Sequence, residues 1–345
     1  MTDEQQKWKQ EVAEFLQIEM TPDFLEELEK QDYSTAAASV SFSKKLAAKG
    51  WLTLAWPRQY GGQERSFLEQ AIFNYQMGYY LAPTMAHQTG TNQVGRALMV
   101  HGTDEQKKRF LPRIARQEIV FAQAHTEPGA GTDLASLKTR AARRGAAYII
   151  DGEKCYCSHA HIADYIYMAV RTDPNSVRHK GISLLVVDAK TPGMSISEMK
   201  TINHGRVSSI FFDNVSVPQE NLLGEENKGW YMLMSTLAIE RSIVRSPGTF
   251  QRLFDELIAY AKETRRDGHP IIEEQIMRFR FAEFATDIEV ANMLYWRVAC
   301  LANKGEIPGI EGNFQSLFLS KLEHRFANFG MEVLGHYGQL RRGSK

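Results

Sequence analysis

The chain has 345 residues and a mass of 39.2 kDa, too long for one small core and enough for roughly two or three domains. Hydrophobic residues at 43% against 24% charged exclude a mainly disordered chain, and 41 basic against 41 acidic residues leave no net charge to favour nucleic acid or an acidic membrane surface. No apolar run approaches the roughly 18 residues of a membrane span, Met1 to Gln10 carries both charge signs rather than a signal peptide, and three cysteines make no disulfide framework, so a reducing, cytoplasmic setting is expected.

From Gln5 to about Ala115 apolar residues recur at helical spacing, as in Phe67, Ile72, Phe73, Tyr75 and Met77, with breaks at Pro57, Gly61-Gly62 and Pro83. Residues 1–117 therefore read as a helical N-terminal domain. Short β-rich runs follow, Tyr148 to Ile150, Tyr165 to Val170, Ile182 to Val187 and Ile210 to Phe212, separated by Asp-Gly, Asp-Pro and Pro-Gly pairs. Residues 118–224 form the expected middle β domain. From Gly229 the helical period returns, and Gly268-His269-Pro270 and Pro308-Gly309 divide it into about three helices, so 225–345 reads as a C-terminal helical domain.

Leu233, Leu237, Glu240 and Val244 share one face of the first helix in that last zone. A Glu on an apolar stripe must pair, here with Arg241 or Arg245, surface at a rim, or border a cavity, because burying a free carboxylate is costly. In the cavity case desolvation raises its pKa toward that of a general base. Spacing alone leaves these alternatives open.

The run Thr126-Glu127-Pro128-Gly129-Ala130-Gly131-Thr132-Asp133 resembles the TEPGAGSD signature of the acyl-CoA dehydrogenase flavoproteins, with Thr132 in place of Ser. Similar motifs stand in family order along nearly the whole chain: Gly50-Trp51, Trp56-Pro57, Tyr60-Gly61-Gly62, Gly102 to Lys107 before Phe110-Leu111-Pro112, Asp213-Asn214-Val215 with Val217-Pro218, Leu223 to Trp230, and Glu240-Arg241. The resemblance implies an α+β multidomain fold, helical at both ends with a middle antiparallel β-barrel or sandwich. It also implies FAD between the sheet domain and the C-terminal helices. The implied reaction is α,β-dehydrogenation of an acyl-CoA to the 2,3-enoyl-CoA, with Glu240 removing the α-proton, hydride passing to flavin N5, and an electron-transfer flavoprotein as acceptor.

Carried over by position, Gln123, His125, Thr126 and Thr132 line the flavin and the thioester, with Thr132 also on the substrate side. Lys154-Cys155-Tyr156-Cys157-Ser158 stands where the family has K-x-W-x-T/S. Tyr156 then replaces a flavin-stacking Trp, Cys157 lies between, and Ser158 offers a hydroxyl near N5. Arg241 is implied to orient the acyl-CoA site. Arg265, Gln275, Glu332 and Gly335 match positions that reach FAD across a subunit contact, so a homo- or hetero-oligomer is expected.

Three departures stand out. Glu263 to Gly268 shifts the Arg of the usual R-x-x-F-G by one place and loses its Phe, His336 replaces a second Gly, and the chain ends at Lys345 without the family's G-T-x-E-I-Q segment. That segment donates a backbone N–H to the thioester oxygen, and one such donor is worth on the order of 3 kcal/mol in a transition state. A non-catalytic scaffold subunit beside a catalytic paralogue is the alternative these departures raise. Cys155, Cys157, His159 and His161 also alternate as on one strand face. Four such positions span about 20 Å, so one tetrahedral ion reaches at most two of them and a metal is not expected.

Overall fold

The computed structural model describes residues 1–30, 37–202, 205–234, 246–306 and 309–340. Helices occupy the first third: α1 (Asp3–Glu19), α2 (Pro22–Lys30), α3 (Ala37–Ala48), α4 (Phe67–Tyr79), α5 (Met85–Gln88), α6 (Gly95–His101) and α7 (Asp104–Ala115). A π-helical turn over Thr89–Val94 joins α5 to α6. Three helix starts are written locally, since Thr2, Ser66 and Thr103 each form a reciprocal capping box with Gln5, Glu69 and Gln106.

The middle strands are β1 (Phe121–Ala124), β2 (Arg140–Arg144), β3 (Ala147–Ser158), β4 (Tyr165–Arg171), β5 (Ile182–Asp188), β6 (Met194–Lys200), β7 (Arg206–Pro218) and β8 (Leu222–Leu223). They form one sheet in the order β6-β7-β3-β2-β4-β5-β8, with β1 added in parallel beside β4. Each predicted β-rich run lies within one of these strands. The sheet is open, with no closed barrel among the described residues, and β1 and β2 meet β4 in parallel while the other pairs are antiparallel. Asp151-Gly152, expected as a turn, instead sits inside β3 at a register shift. Asp173-Pro174 and Pro192-Gly193 do lie in turns.

The chain continues with α8, which starts at residue 229 and is described through 234, then α9 (Gly248–Glu263), the short antiparallel pair β9 (Arg265–Arg266) and β10 (His269–Pro270), α10 (Gln275–Asn303) and α11 (Gly309–Leu334). None of the described helices is long and apolar enough to cross a membrane.

Two compact units result. One comprises Thr21–Arg65 and Pro83–Glu240 and holds the whole sheet. Its strands β4 and β5 are buried on both faces, which is why they read as continuous apolar runs. Tyr165, Tyr167, Leu184 and Val186 pack with Phe110, Leu111 and Ile114 of α7, while Ile166, Met168, Leu185 and Val187 pack with Tyr148, Ile150, Phe212 and Val217 of β3 and β7. The other unit comprises Met1–Met20, Ser66–Ala82 and Arg241–Lys345. Phe254, Phe281, Phe284, Phe326 and Phe329 fill its core, and α4 joins it where Tyr295 donates to the Ala71 carbonyl at 2.8 Å.

Candidate functional site

The turn after β1 is held from beneath. Glu127 and Ala130 exchange backbone hydrogen bonds at 3.1 and 3.0 Å, and the Glu127 carboxylate accepts from the backbone N–H groups of Lys138 and Thr139 at 2.6 and 2.8 Å. Lys154 of β3 is fully buried, and its ammonium donates to Glu127 Oε1 at 2.8 Å and to the His125 carbonyl at 3.0 Å. Burial alone raises the Glu127 pKa, but Lys154 and the N–H donors outweigh it and hold the carboxyl below its ordinary range. The two motifs singled out in the sequence are thus bolted together by an ion pair.

Above that pair lies a cavity of about 250 Å³. Gln123 comes from β1, His125 and Thr126 from the turn, and Cys155, Tyr156 and Ser158 from β3, with His159 just beyond. Gln88, Thr89 and Gln93 complete the lining from the end of α5 and the π-helical turn. Five residues chosen from the sequence, Gln123, His125, Thr126, Tyr156 and Ser158, therefore share one cavity. A β-bulge explains the placing of the last two. The β3–β7 register shifts between Lys154 and Cys157, and Tyr156 takes φ 55°, so strict alternation fails there. The Tyr156 ring is 68% exposed at the cavity, whereas Cys157 points into the sheet core.

His125 is buried, packs edge to face on Tyr167 at 5.1 Å, and neither ring nitrogen has a hydrogen-bond partner among the described residues. Burial, assisted by Lys154, pushes its pKa down to about 3, so the ring is neutral and offers one donor and one acceptor. Gln93 is 6% exposed and its Oε1 likewise lacks a partner among the described residues. Burial and the carboxylates of Glu153 and Glu127 raise the Cys155 thiol, which stays protonated. Hydroxyls, amides, a neutral imidazole and an exposed aromatic ring around one cavity suit a flat, polar heteroaromatic group such as the isoalloxazine of FAD.

The other expected residues lie elsewhere. Cys157 is outside the lining, its thiol donating to the Cys155 carbonyl at 3.6 Å. Thr132 is exposed on the turn before Leu134 and is also outside the lining. In the second unit Arg265 donates to the Gly268 carbonyl at 2.9 Å, Gln275 opens α10 in an exposed position, Glu332 pairs with Arg280, and Gly335 ends α11 at φ 57°. Arg266, not Arg265, reaches the carbonyls of Glu332 and Val333. Glu240 and Arg241 lie outside the described residues, as do Leu237 and Val244 of the apolar stripe, while Leu233 is buried. The Cys/His alternation does not survive, because β3 ends at Ser158, His159 turns left-handed at φ 64°, and the bulge separates the two thiols.

Gln88, Thr89, Gln93, Cys155 and His159 were not foreseen as lining residues. The polar run Gln88 to Gln93 between apolar helical stretches was the available signal, but nothing local announces that a π-turn will carry it to the cavity.

Family models for the N-terminal, middle and C-terminal domains of acyl-CoA dehydrogenases match residues 2–118, 122–215 and 227–344. The acyl-CoA dehydrogenase FadE29 of Mycobacterium tuberculosis is 33% identical over 339 residues, which span 98% of this chain and 86% of that protein. Cyclohexane-1-carbonyl-CoA dehydrogenase of Geobacter metallireducens is 29% identical over 94% of this chain and 88% of its own length. A chain of the ChsE4-ChsE5 complex from Mycobacterium tuberculosis superposes with a TM-score of 0.91 at 34% identity, covering 100% of this chain and 88% of that one. The zoning, the shared cavity and these matches agree: the chain belongs to the acyl-CoA dehydrogenase family of FAD-dependent oxidoreductases.

Proposed function

We propose that this chain catalyses α,β-dehydrogenation of an acyl-CoA thioester to the 2,3-enoyl-CoA. The observation that supports it best is the convergence of Gln123, His125, Thr126, Tyr156 and Ser158 on one cavity. Bound there, FAD supplies the acceptor for the hydride leaving the substrate β-carbon. The Thr126 and Ser158 hydroxyls, the Gln123 amide and the Tyr156 ring would hold the flavin there, and the neutral His125 would add no charge to the site. Glu240 removes the α-proton, Arg241 and Thr132 orient the acyl-CoA, and Arg265, Gln275, Glu332 and Gly335 serve FAD across a subunit contact. The exposed apolar residues Ile310, Phe314 and Leu317, spaced four and three along α11, favour an oligomer. An electron-transfer flavoprotein takes the electrons.

Glu240→Gln tests the assignment: the purified variant should keep its yellow flavin and lose bleaching on addition of acyl-CoA. Undiminished bleaching would remove Glu240 from the role. A second reading, a non-catalytic subunit in a mixed assembly, is favoured by the two-component ChsE4-ChsE5 relative. Under that reading, protein purified alone is colourless and gains flavin only with its partner.

A further inference from the structure

A second cavity, of about 200 Å³, lies wholly within the unit made of Met1–Met20, Ser66–Ala82 and Arg241–Lys345, between α1, α4 and α10. The half-buried rings of Tyr75 and Trp296 line it, stacked at 6.0 Å with 25° between their planes, and the buried Tyr295 backs them at 6.4 and 5.2 Å. Gln76 lines it as well. That side chain is only 4% exposed, yet its amide keeps accessible surface and makes no hydrogen bond among the described residues. Lys9 and Glu289 complete the polar lining, neither of them in an ion pair among the described residues, and Glu289 accepts from Asn292 at 3.4 Å.

Each of these groups asks for a different part of one ligand. The partly exposed aromatic pair takes a planar ring. An unpaired carboxamide, donor and acceptor side by side, matches the edge of adenine, where an amino group adjoins a ring nitrogen. A carboxylate that only accepts suits sugar hydroxyls, and an unpaired ammonium suits a phosphate. A simple amine would meet repulsion from Lys9, and a hydrocarbon would leave Gln76 unpaired. We propose that this cavity binds a free adenine nucleotide, its base on Tyr75 and Trp296, its edge on Gln76, its ribose on Glu289 and its phosphate on Lys9. None of these residues belongs to the site assigned to FAD and acyl-CoA, so the proposal stands or falls apart from that reading. The adenosine halves of FAD and of CoA carry the same chemistry, and the experiment separates them from a free nucleotide.

Flavin-loaded protein is titrated calorimetrically with AMP and with adenosine, each in the absence and presence of saturating CoA. AMP should bind one to one, and CoA should leave its affinity unchanged. Gln76→Met, which keeps the volume and removes the amide, should weaken AMP and adenosine alike by about tenfold, at full flavin content. Lys9→Gln, a change near the surface that spares the core, should weaken AMP by about three- to fivefold and leave adenosine untouched. Absence of saturable AMP binding by the unaltered protein overturns the proposal. Displacement of AMP by CoA overturns it too, by giving the cavity to the adenosine of CoA, and loss of flavin from the folded Gln76→Met protein does so by giving it to FAD. AMP affinity unmoved by Lys9→Gln and Gln76→Met places the nucleotide elsewhere and overturns it as well.

Discussion

Lys154 is a lysine with no exposed surface, a position tolerated only because its ammonium meets a carboxylate and a carbonyl within 3.0 Å. Burial draws its pKa down, and Glu127 draws it back, so the pair stays ionic beneath the cavity. Removing one partner leaves the other charged and buried, which costs about 3–5 kcal/mol. Lys154→Met should therefore lower the unfolding free energy in urea by that order. Adding Glu127→Gln should restore part of it, since Gln keeps an acceptor for the N–H groups of Lys138 and Thr139. A loss under about 1 kcal/mol in the single variant would show that the turn is held by something else. The pair joins Glu127 of one motif to Lys154 of the other, 27 residues apart, so each motif could be read from sequence but not the contact that makes them one site.

At the scale of elements, close approach of backbones decides where helices can pack. A Cβ on Gly248 at the start of α9 would stand 2.2 Å from the Tyr75 carbonyl oxygen and 2.9 Å from the Tyr79 nitrogen of α4. Gly248→Ala should therefore force the two helices apart and cost about 1–3 kcal/mol, seen as a lower midpoint in thermal unfolding. Gly330 within α11 has nothing within 4 Å of the same construction, so Gly330→Ala should instead gain up to about 1 kcal/mol from helix propensity. Opposite signs from one chemical change separate packing from propensity; equal signs would refute the close-approach argument. Helices and strands were legible because the apolar period is local, as in Ile72, Phe73 and Met77 or along Tyr165 to Val170. The bulge at Tyr156 was not, since it depends on the register of β3 against β7, where Lys154 meets Ile210 and Cys157 meets Ser208. The joining of α1 and α4 to the last three helices was equally hidden, resting on contacts such as Tyr295 with Ala71, 224 residues apart.

Across the whole molecule the buried histidines are unevenly shared. His87, bonded to Ser43 at 2.9 Å, and His125 both belong to the unit that carries the sheet. Burial pushes His87 down to about 4, and burial with Lys154 pushes His125 down to about 3. In the unfolded chain each takes up a proton near pH 6.5. Folded-state values below that mean the stability is fully present above pH 6.5 and is lost as pH falls toward the folded values. Each withheld proton costs about 1.4 kcal/mol per pH unit, so two histidines cost on the order of 4 kcal/mol by pH 5. The described histidines of the other unit, His269, His324 and His336, are exposed. Acidification from pH 7 to 5 should therefore split one calorimetric transition into two, the sheet-bearing unit melting first. Hydrogen exchange should show Phe121–Ala124 and Tyr165–Arg171 losing protection before Gln275–Asn303. His87→Gln should reduce the slope between pH 6.5 and 5, because one withheld proton is gone. A single transition with a pH-independent midpoint over this range would mean that the two rings find protons, or partners, in the folded protein.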